Sequence, residues 1–460
     1  LAVPNSQTIY ALSSGRPPAA IAVVRISGPR ARFALETMMG RVPEPRKATL
    51  ARLRDPITAE TIDEALALWF PGPKSETGED MAELQLHGGR AVIAAVLAGL
   101  GKLEGLRMAE PGEFTRRAFE NGRLDLTAVE GLADLISAET EAQRRQAFRQ
   151  LKGFLGERAE RWRARLIEAL ALVEAGIDFS DEADVPEDLI GPALTIARGL
   201  RAEITEVLAG AARGERLREG LVVAIAGPPN AGKSTLFNRI ARREAAIVSP
   251  IPGTTRDVIE VHLDLDGYPV TVLDTAGIRD SDDPVEQEGV RRARARVGDA
   301  DLVLWVVEAR SGPERGNTHR ISVDMEGGPE VWLVRNKIDL PGVISPEMII
   351  NEQKLQFIIM FSLSAVTGEG LNHLMNHISR HVGEFFAGGE GALITRERHR
   401  KALEETIGAL ERAVKEGPKG REDIVAEELR LASRALGRLT GRVDVEDILD
   451  VIFRDFCIGK

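Results

Sequence analysis

A lysine and a hydroxyl at the mouth of a glycine-rich turn are the residues best suited to chemistry. Residues 227–235 read Gly-Pro-Pro-Asn-Ala-Gly-Lys-Ser-Thr and match G-x-x-x-x-G-K-[ST]. Backbone N–H groups of such a loop, with the positive end of a following helix, suit a polyphosphate; Lys233 is placed for the β and γ oxygens and the Ser234 hydroxyl for Mg²⁺. Asp274-Thr-Ala-Gly277 is D-x-x-G, which puts Asp274 near the metal's water and the Gly277 N–H near the γ-phosphate. Between them, residues 249–257 are punctuated by Gly and Pro and carry Thr254 and Thr255, able to close on Mg²⁺, so the segment reads as a switch loop. Asn336-Lys-Ile-Asp339 is N-K-x-D. Asp339 can accept two hydrogen bonds from guanine N1–H and the exocyclic amine, which adenine does not offer in that arrangement, so selection for GTP is expected to be strong. Ser364-Ala365 stands where the last guanine-contacting loop belongs.

Four ordered motifs at these separations resemble a TRAFAC-class GTPase. One departure bears on mechanism. In Ras-type domains a glutamine after D-x-x-G orients the attacking water, whereas Ile278 stands here and can orient nothing. The acidic segment 280–288 offers substitutes, notably Glu286. Asn230 presents a side-chain carbonyl where a monovalent cation could replace an arginine finger; an asparagine there serves equally as a turn residue.

These loops need a buried strand before each of them and helices after them. Residues 221–226 are apolar and run straight into Gly227, and the strand and helix patterns alternate from there to about 383, predicting a mostly parallel sheet. At 460 residues the chain exceeds one core, and domains of roughly 100 to 200 residues imply about three. The expected fold class is multidomain α/β plus all-α, with a mixed α/β domain over 1–118, helical segments over 119–216 and 384–460, and a Ras-like domain at 217–383 inserted between them. A net charge of −11 means that contact with nucleic acid must come from a local basic patch. One cysteine excludes an intramolecular disulfide and fits a reducing compartment. No apolar run approaches ~18 residues, so a cytoplasmic protein without membrane attachment is expected.

In the first domain, residues 21–26 form a β-branched run interrupted on one face by Arg25. Residues 83–87 alternate strictly, which places Glu83, Gln85 and His87 on one side of a strand, facing water or a ligand. From Leu126 the apolar period becomes helical. Arg144, Arg145, Arg149, Lys152, Arg158, Arg161, Arg163 and Arg165, interleaved with Phe148, Phe154 and Trp162, would suit an RNA backbone, or a solvated helix face balanced by Glu157 and Glu160. Residues 444–447 look like a helix N-cap. The two G-x-x-G matches near residues 388 and 417 lack a KH setting and read as linkers. Cys457 does not sit in a prenylation box, because Gly459 and Lys460 follow it; it is a candidate reactive thiol or a buried structural one.

The chain ends carry the more specific match: Trp69-Phe-Pro-Gly-Pro-Lys-Ser-Glu-Thr-Gly-Glu79, Glu83-Leu-Gln-Leu-His-Gly-Gly89, Pro111-Gly-Glu-Phe-Thr115 and the terminal Phe456-Cys-Ile-Gly-Lys460. With the nucleotide motifs they resemble the MnmE (TrmE) family of tRNA-modification GTPases over nearly the whole chain. The resemblance implies an N-terminal folate-binding domain through which two copies form a homodimer, and GTP hydrolysis with K⁺ and Mg²⁺ in the cytoplasm. GTP contacts would come from Asn230, Ala231, Gly232, Lys233, Ser234 and Thr235, from Ser249, Pro250, Ile251, Pro252, Gly253, Thr254 and Thr255, from Asp274, Thr275, Ala276 and Gly277, and from Asn336, Lys337, Asp339, Ser364, Ala365 and Val366. By the same resemblance Ser234 and Thr255 would hold Mg²⁺, Asn230, Ser249, Ile251 and Thr254 would hold K⁺, and Glu286 and Lys233 would act in catalysis. A tetrahydrofolate derivative (5-formyl or methylene) would meet Arg25, Glu83, Arg123 and Lys460. The family acts at C5 of the wobble uridine of certain tRNAs, together with a flavoprotein partner of the MnmG (GidA) type that carries the FAD.

Overall fold

The computed structural model describes residues 7–178, 188–242, 246–247, 260–274, 300–310, 329–343, 359–387, 391–443, 449, 452–454, 456 and 458–459. The chain divides into two compact units, one of residues 1–133, 149–204 and 401–460, the other of 134–148 and 205–400. Among the described residues no helix is long and apolar enough to cross a membrane.

In the first unit, strands β1 (Thr8–Leu12), β2 (Ile21–Ser27), β3 (Thr49–Arg54), β4 (Thr61–Phe70), β5 (Met81–His87) and β6 (Leu106–Met108) form a sheet in the order β3-β4-β5-β2-β1-β6. All neighbours are antiparallel except β1 and β6. The strand period of two gives this sheet two distinct faces. Tyr10, Val24, Ile26, Leu84 and Leu86 turn to one face and are buried with Leu35 and Met38 of helix Ala31–Met39 and Val96 and Leu100 of helix Arg90–Gly101. Ile9 and Ala11 turn to the other face, where they meet Ala109 and Phe114. Arg25, Glu83 and Gln85 alternate with the buried residues of β2 and β5 and belong to that second face. The strand and face expected for residues 83–87 are both present.

Helix Phe154–Asp178 lies along helix Glu422–Thr440, more than 240 positions later in the chain; Trp162, Leu166 and Val173 of the first and Val425, Leu429 and Leu436 of the second are buried. Arg430 to Glu174 at 2.8 Å and Arg442 to Glu160 at 2.7 Å flank the pair. The C-terminal residues return to the first sheet. Ile458 bridges Pro111, and Gly459, at φ +98°, lies so close to Leu12 that an added Cβ would stand 2.1 Å from its carbonyl oxygen.

In the second unit, β7 (Leu221–Ala226), β8 (Ala246–Ile247), β9 (Glu260–Leu265), β10 (Tyr268–Asp274), β11 (Leu302–Glu308), β12 (Glu330–Asn336) and β13 (Met360–Ser362) are ordered β13-β12-β11-β7-β10-β9-β8. From β13 through β7 to β10 every pair is parallel; β8 and β9 add an antiparallel edge. Strand β7 is central because its residues are apolar enough for burial on both faces. Helices Lys233–Ala241 and Leu371–Phe386 bury Leu236, Phe237, Ile240, Leu374, Ile378 and Val382 against the sheet.

Candidate functional site

Parallel strands send their carboxyl ends the same way, and an open α/β sheet binds ligands outside those ends, where the strand order reverses. Here the reversal falls at β7, with β10 on one side and β11 on the other. The loop leaving β7 is shaped by close approach. Gly227, at φ +138°, lies so near β11 that a Cβ would stand 2.1 Å from the Val306 carbonyl oxygen, and Gly232, at φ +92°, would put one 2.2 Å from Asn336 Nδ2. Asn230 adopts φ +63°, a left-handed geometry that asparagine tolerates better than most residues. Lys233 opens the helix, and its Nζ donates to the carbonyls of Gly227 and Pro228, each at 2.9 Å, so the ammonium lies folded over its own loop. Ser234 and Thr235 are exposed in the first helical turn.

At the end of β10, Asp274 is buried in register with Ile225 of β7. Asn336, at the end of β12, is 2% exposed; its Nδ2 donates to the Ala231 carbonyl at 2.8 Å and its Oδ1 accepts from the Ala365 N–H at 2.9 Å. One amide therefore ties the phosphate loop to the Ser364–Ala365 loop. Lys337, at φ +68°, reaches Glu308 at 3.1 Å, and Asp339 is exposed on the turn that follows. Ser364 is fully buried and accepts from the Thr367 N–H at 3.1 Å, which shapes the loop carrying Ala365 and the exposed Val366. The part played by Glu308 was invisible in the sequence. It becomes apparent only because β11 and β12 pair with Glu308 opposite Asn336.

The oxygen donors near this loop, the Ser234 hydroxyl and the Asp274 carboxylate, are of the hard type Mg²⁺ takes, and that ion keeps several waters and phosphate oxygens as its other ligands. Among the described residues no group of three or more His, Cys, Asp or Glu could hold a metal ion. Ser249, Pro250, Ile251, Pro252, Gly253, Thr254, Thr255, Thr275, Ala276, Gly277, Ile278, Glu286, Cys457 and Lys460 lie outside the described residues, as do residues 444–447.

A second constellation occupies the far face of the first sheet. Arg25 and Glu83 are directly opposite in β2 and β5, and Glu83 Oε1 accepts from Arg25 Nε at 3.1 Å and Nη2 at 2.9 Å. Glu76, not singled out by the sequence, also meets Arg25 Nη2 at 3.0 Å, and the guanidinium lies 5.9 Å from the Phe114 ring centroid. Residues around Glu76 are fixed by buried groups. Thr77 and Ser27 hydroxyls are 2.7 Å apart, Glu79 accepts from Ser27 at 2.8 Å and from Arg117 at 3.0 Å, and Arg117, 1% exposed, also donates to Glu113 at 3.0 Å. Burial raises the pKa of Glu113, but hydrogen bonds from Arg107, the Glu110 N–H and Arg117 outweigh it and hold the carboxyl below its usual range. Arg123 is exposed beside this loop, with its Cγ 3.4 Å from where a Cβ on Gly78 would stand. The structure brings Arg25 and Glu83 into direct contact, and places Arg123 beside Gly78 of the loop that carries Glu76.

The basic stretch lies on two helices, Glu141–Leu151 and Phe154–Asp178. Trp162 is 1% exposed and donates to Glu203, Arg165 pairs with Glu203 at 2.6 Å, and Arg144 and Arg145 both pair with Glu141. Arg163 lies 4.0 Å from Glu160, and Phe148 and Phe154 are exposed.

Comparison with known proteins bears on the whole chain. The MnmE helical-domain family matches residues 126–457, and the family described as GTP-binding protein TrmE N-terminus matches residues 8–123. Relatives described as tRNA modification GTPase MnmE include one from Rhodopseudomonas palustris (strain BisB18), 58% identical over 99% of both chains. Another, from Bradyrhizobium sp. (strain ORS 278), is also 58% identical, over 99% of this chain and 100% of that one. Among solved structures the chain is similar to Aquifex aeolicus Era bound to GDP and AlF4⁻, at 28% identity and TM-score 0.27, over 35% of this chain and 56% of that one. Matched end to end at this identity, the chain belongs to the MnmE family of tRNA modification GTPases.

Proposed function

We propose that this chain hydrolyses GTP to GDP and phosphate and that hydrolysis serves modification of tRNA. The observation that carries the first half is the junction made by Asn336, which bonds at once to the phosphate loop and to the Ala365 loop. It sets a phosphate cradle and a base-reading edge at fixed spacing, as a purine nucleotide requires. The tRNA half rests on family membership.

In the proposed site Lys233 and the loop N–H groups meet the β and γ oxygens, Ser234 and Thr255 bind Mg²⁺, and Asp339 reads the guanine edge. A K⁺ ion would take the Asn230 carbonyl together with backbone carbonyls at Ser249, Ile251 and Thr254, supplying charge beside the phosphates. Glu286 would hold the attacking water, the task that Ile278 cannot perform. On the first sheet, Arg25, Glu83, Arg123 and Lys460 would bind a tetrahydrofolate derivative that donates the one-carbon unit. The homodimer, the MnmG-type flavoprotein and the cytoplasmic setting belong to the same proposal.

Two measurements test it. GTP turnover compared in K⁺ and Na⁺ at equal ionic strength should be strongly stimulated by K⁺, and Glu286→Ala should lose that turnover while still binding GTP. Equal rates in both salts would remove Asn230 from the cation's shell. By calorimetry, Arg25→Ala should weaken 5-formyltetrahydrofolate binding at least about tenfold, because a charged hydrogen-bonding group is removed. Unchanged affinity would place the folate elsewhere.

A further inference from the structure

We infer that Arg335, to which no nucleotide motif gives a role, is the positioning residue that sets the guanine-reading loops at their working separation. The inference rests on the GTP assignment above. Arg335 precedes Asn336 on β12 and is 1% exposed. Its Nη2 donates to the Ala309 carbonyl, just beyond β11, at 3.3 Å, and its Nη1 to the Ser362 hydroxyl, at the end of β13, at 3.4 Å. The adjoining backbone joins the same three strand ends. The Arg335 carbonyl accepts from the Leu363 N–H at 2.8 Å, and the Asn336 carbonyl accepts from the Ala309 N–H at 2.7 Å.

Those three ends carry the parts that must face one base together. Glu308, at the end of β11, holds Lys337; Asn336, at the end of β12, holds Ala231 and Ala365; and Ser364 and Ala365 follow β13. A guanidinium is planar and rigid, so donating to both neighbours fixes their spacing. The bond to the Ala309 carbonyl is buried, so exchanging that acceptor for water carries a large desolvation penalty, while the Ser362 hydroxyl, on an exposed residue, is the second anchor. A methionine would fill similar volume and donate nothing. A lysine would reach one acceptor as a point charge but not span both. Arg335 need not touch the nucleotide; it acts through Asn336 and Ala365.

The test is steady-state GTP and ITP hydrolysis by the full chain with Arg335→Met and Arg335→Lys, alongside thermal unfolding. Inosine lacks the amine that guanine presents to Asp339, so the KM ratio of the two substrates reports how well the base edge is read. Arg335→Met should raise KM for GTP about tenfold, the loss of charged hydrogen bonds, while kcat at saturation stays within about twofold and the ratio of ITP to GTP KM values shrinks. Arg335→Lys should fall between wild type and Arg335→Met. Ser362→Ala, which removes one acceptor and keeps the charge, should shift KM in the same direction by less. A KM and base preference equal to wild type in Arg335→Met would overturn the inference, as would a fall in kcat with the preference untouched, which is the mark of a merely structural residue. If Arg335→Met does not fold, Arg335→Lys and Ser362→Ala decide it by the same readouts. Failure of the wild type itself to hydrolyse GTP would overturn the nucleotide assignment instead.

Discussion

Lys233→Met should lower GTP turnover by about 10³-fold, the loss expected when a preorganised cation that meets developing phosphate charge is removed. The fold should be unaffected. Among the described residues the ammonium bonds to two carbonyls of its own loop, Gly227 and Pro228, and both can be solvated once it is gone. The glycines that give the loop its path, Gly227 against Val306 and Gly232 against Asn336, remain in place. Single-turnover hydrolysis with saturating GTP, together with the thermal unfolding midpoint, separates the two effects. Turnover within tenfold of wild type would mean that the loop does not cradle the reacting phosphates.

Asp339→Asn should exchange substrates. A carboxylate accepts from both guanine donors, whereas an amide offers one acceptor and one donor, so the guanine amine would face an N–H. Such a buried mismatch costs GTP about 10³-fold or more in kcat/KM. Xanthine carries a carbonyl in place of that amine and matches the amide, so XTP hydrolysis should rise as GTP hydrolysis falls. Asp339 is exposed on its turn, so the variant should fold like wild type. Competition between GTP and XTP in one assay checks the exchange. An unaltered preference for GTP would remove Asp339 from base recognition, and the selective groups would then be sought along the Ser364–Val366 loop.

The two sites were legible in the sequence to different depths. The phosphate loop declares itself because its chemistry is local. Glycines, a lysine and a hydroxyl at fixed offsets have few other uses, and the apolar run before them can only be a buried strand. The faces of residues 21–26 and 83–87 were readable for a similar reason, since a period of two assigns sides without any knowledge of neighbours. The basic helical stretch was not. Its charges and aromatics fit two roles equally, and the sequence does not show which are covered: Trp162 is buried while Phe148 and Phe154 are exposed, and Glu141 and Glu203 are the acidic partners of Arg144, Arg145 and Arg165. Glu76 and Glu308 were missed for a related reason: a carboxylate is ordinary until something is placed opposite it.

What the sequence determined by itself is therefore whatever depends on short separations: strand periods, the turn around bound phosphate, the order of the nucleotide motifs and the family they identify. What only the tertiary structure decided is which distant residues meet. Strand pairing put Arg25 opposite Glu83 across 58 positions of chain, and Asn336 was brought to Ala231 across 105. The seating of Gly459 against Leu12 likewise brings together residues far apart in the sequence. These contacts depend on sheet order and register, which are set by the summed burial of apolar faces over the whole domain. No local stretch of residues encodes that sum, so such pairings appear only once the chain has folded.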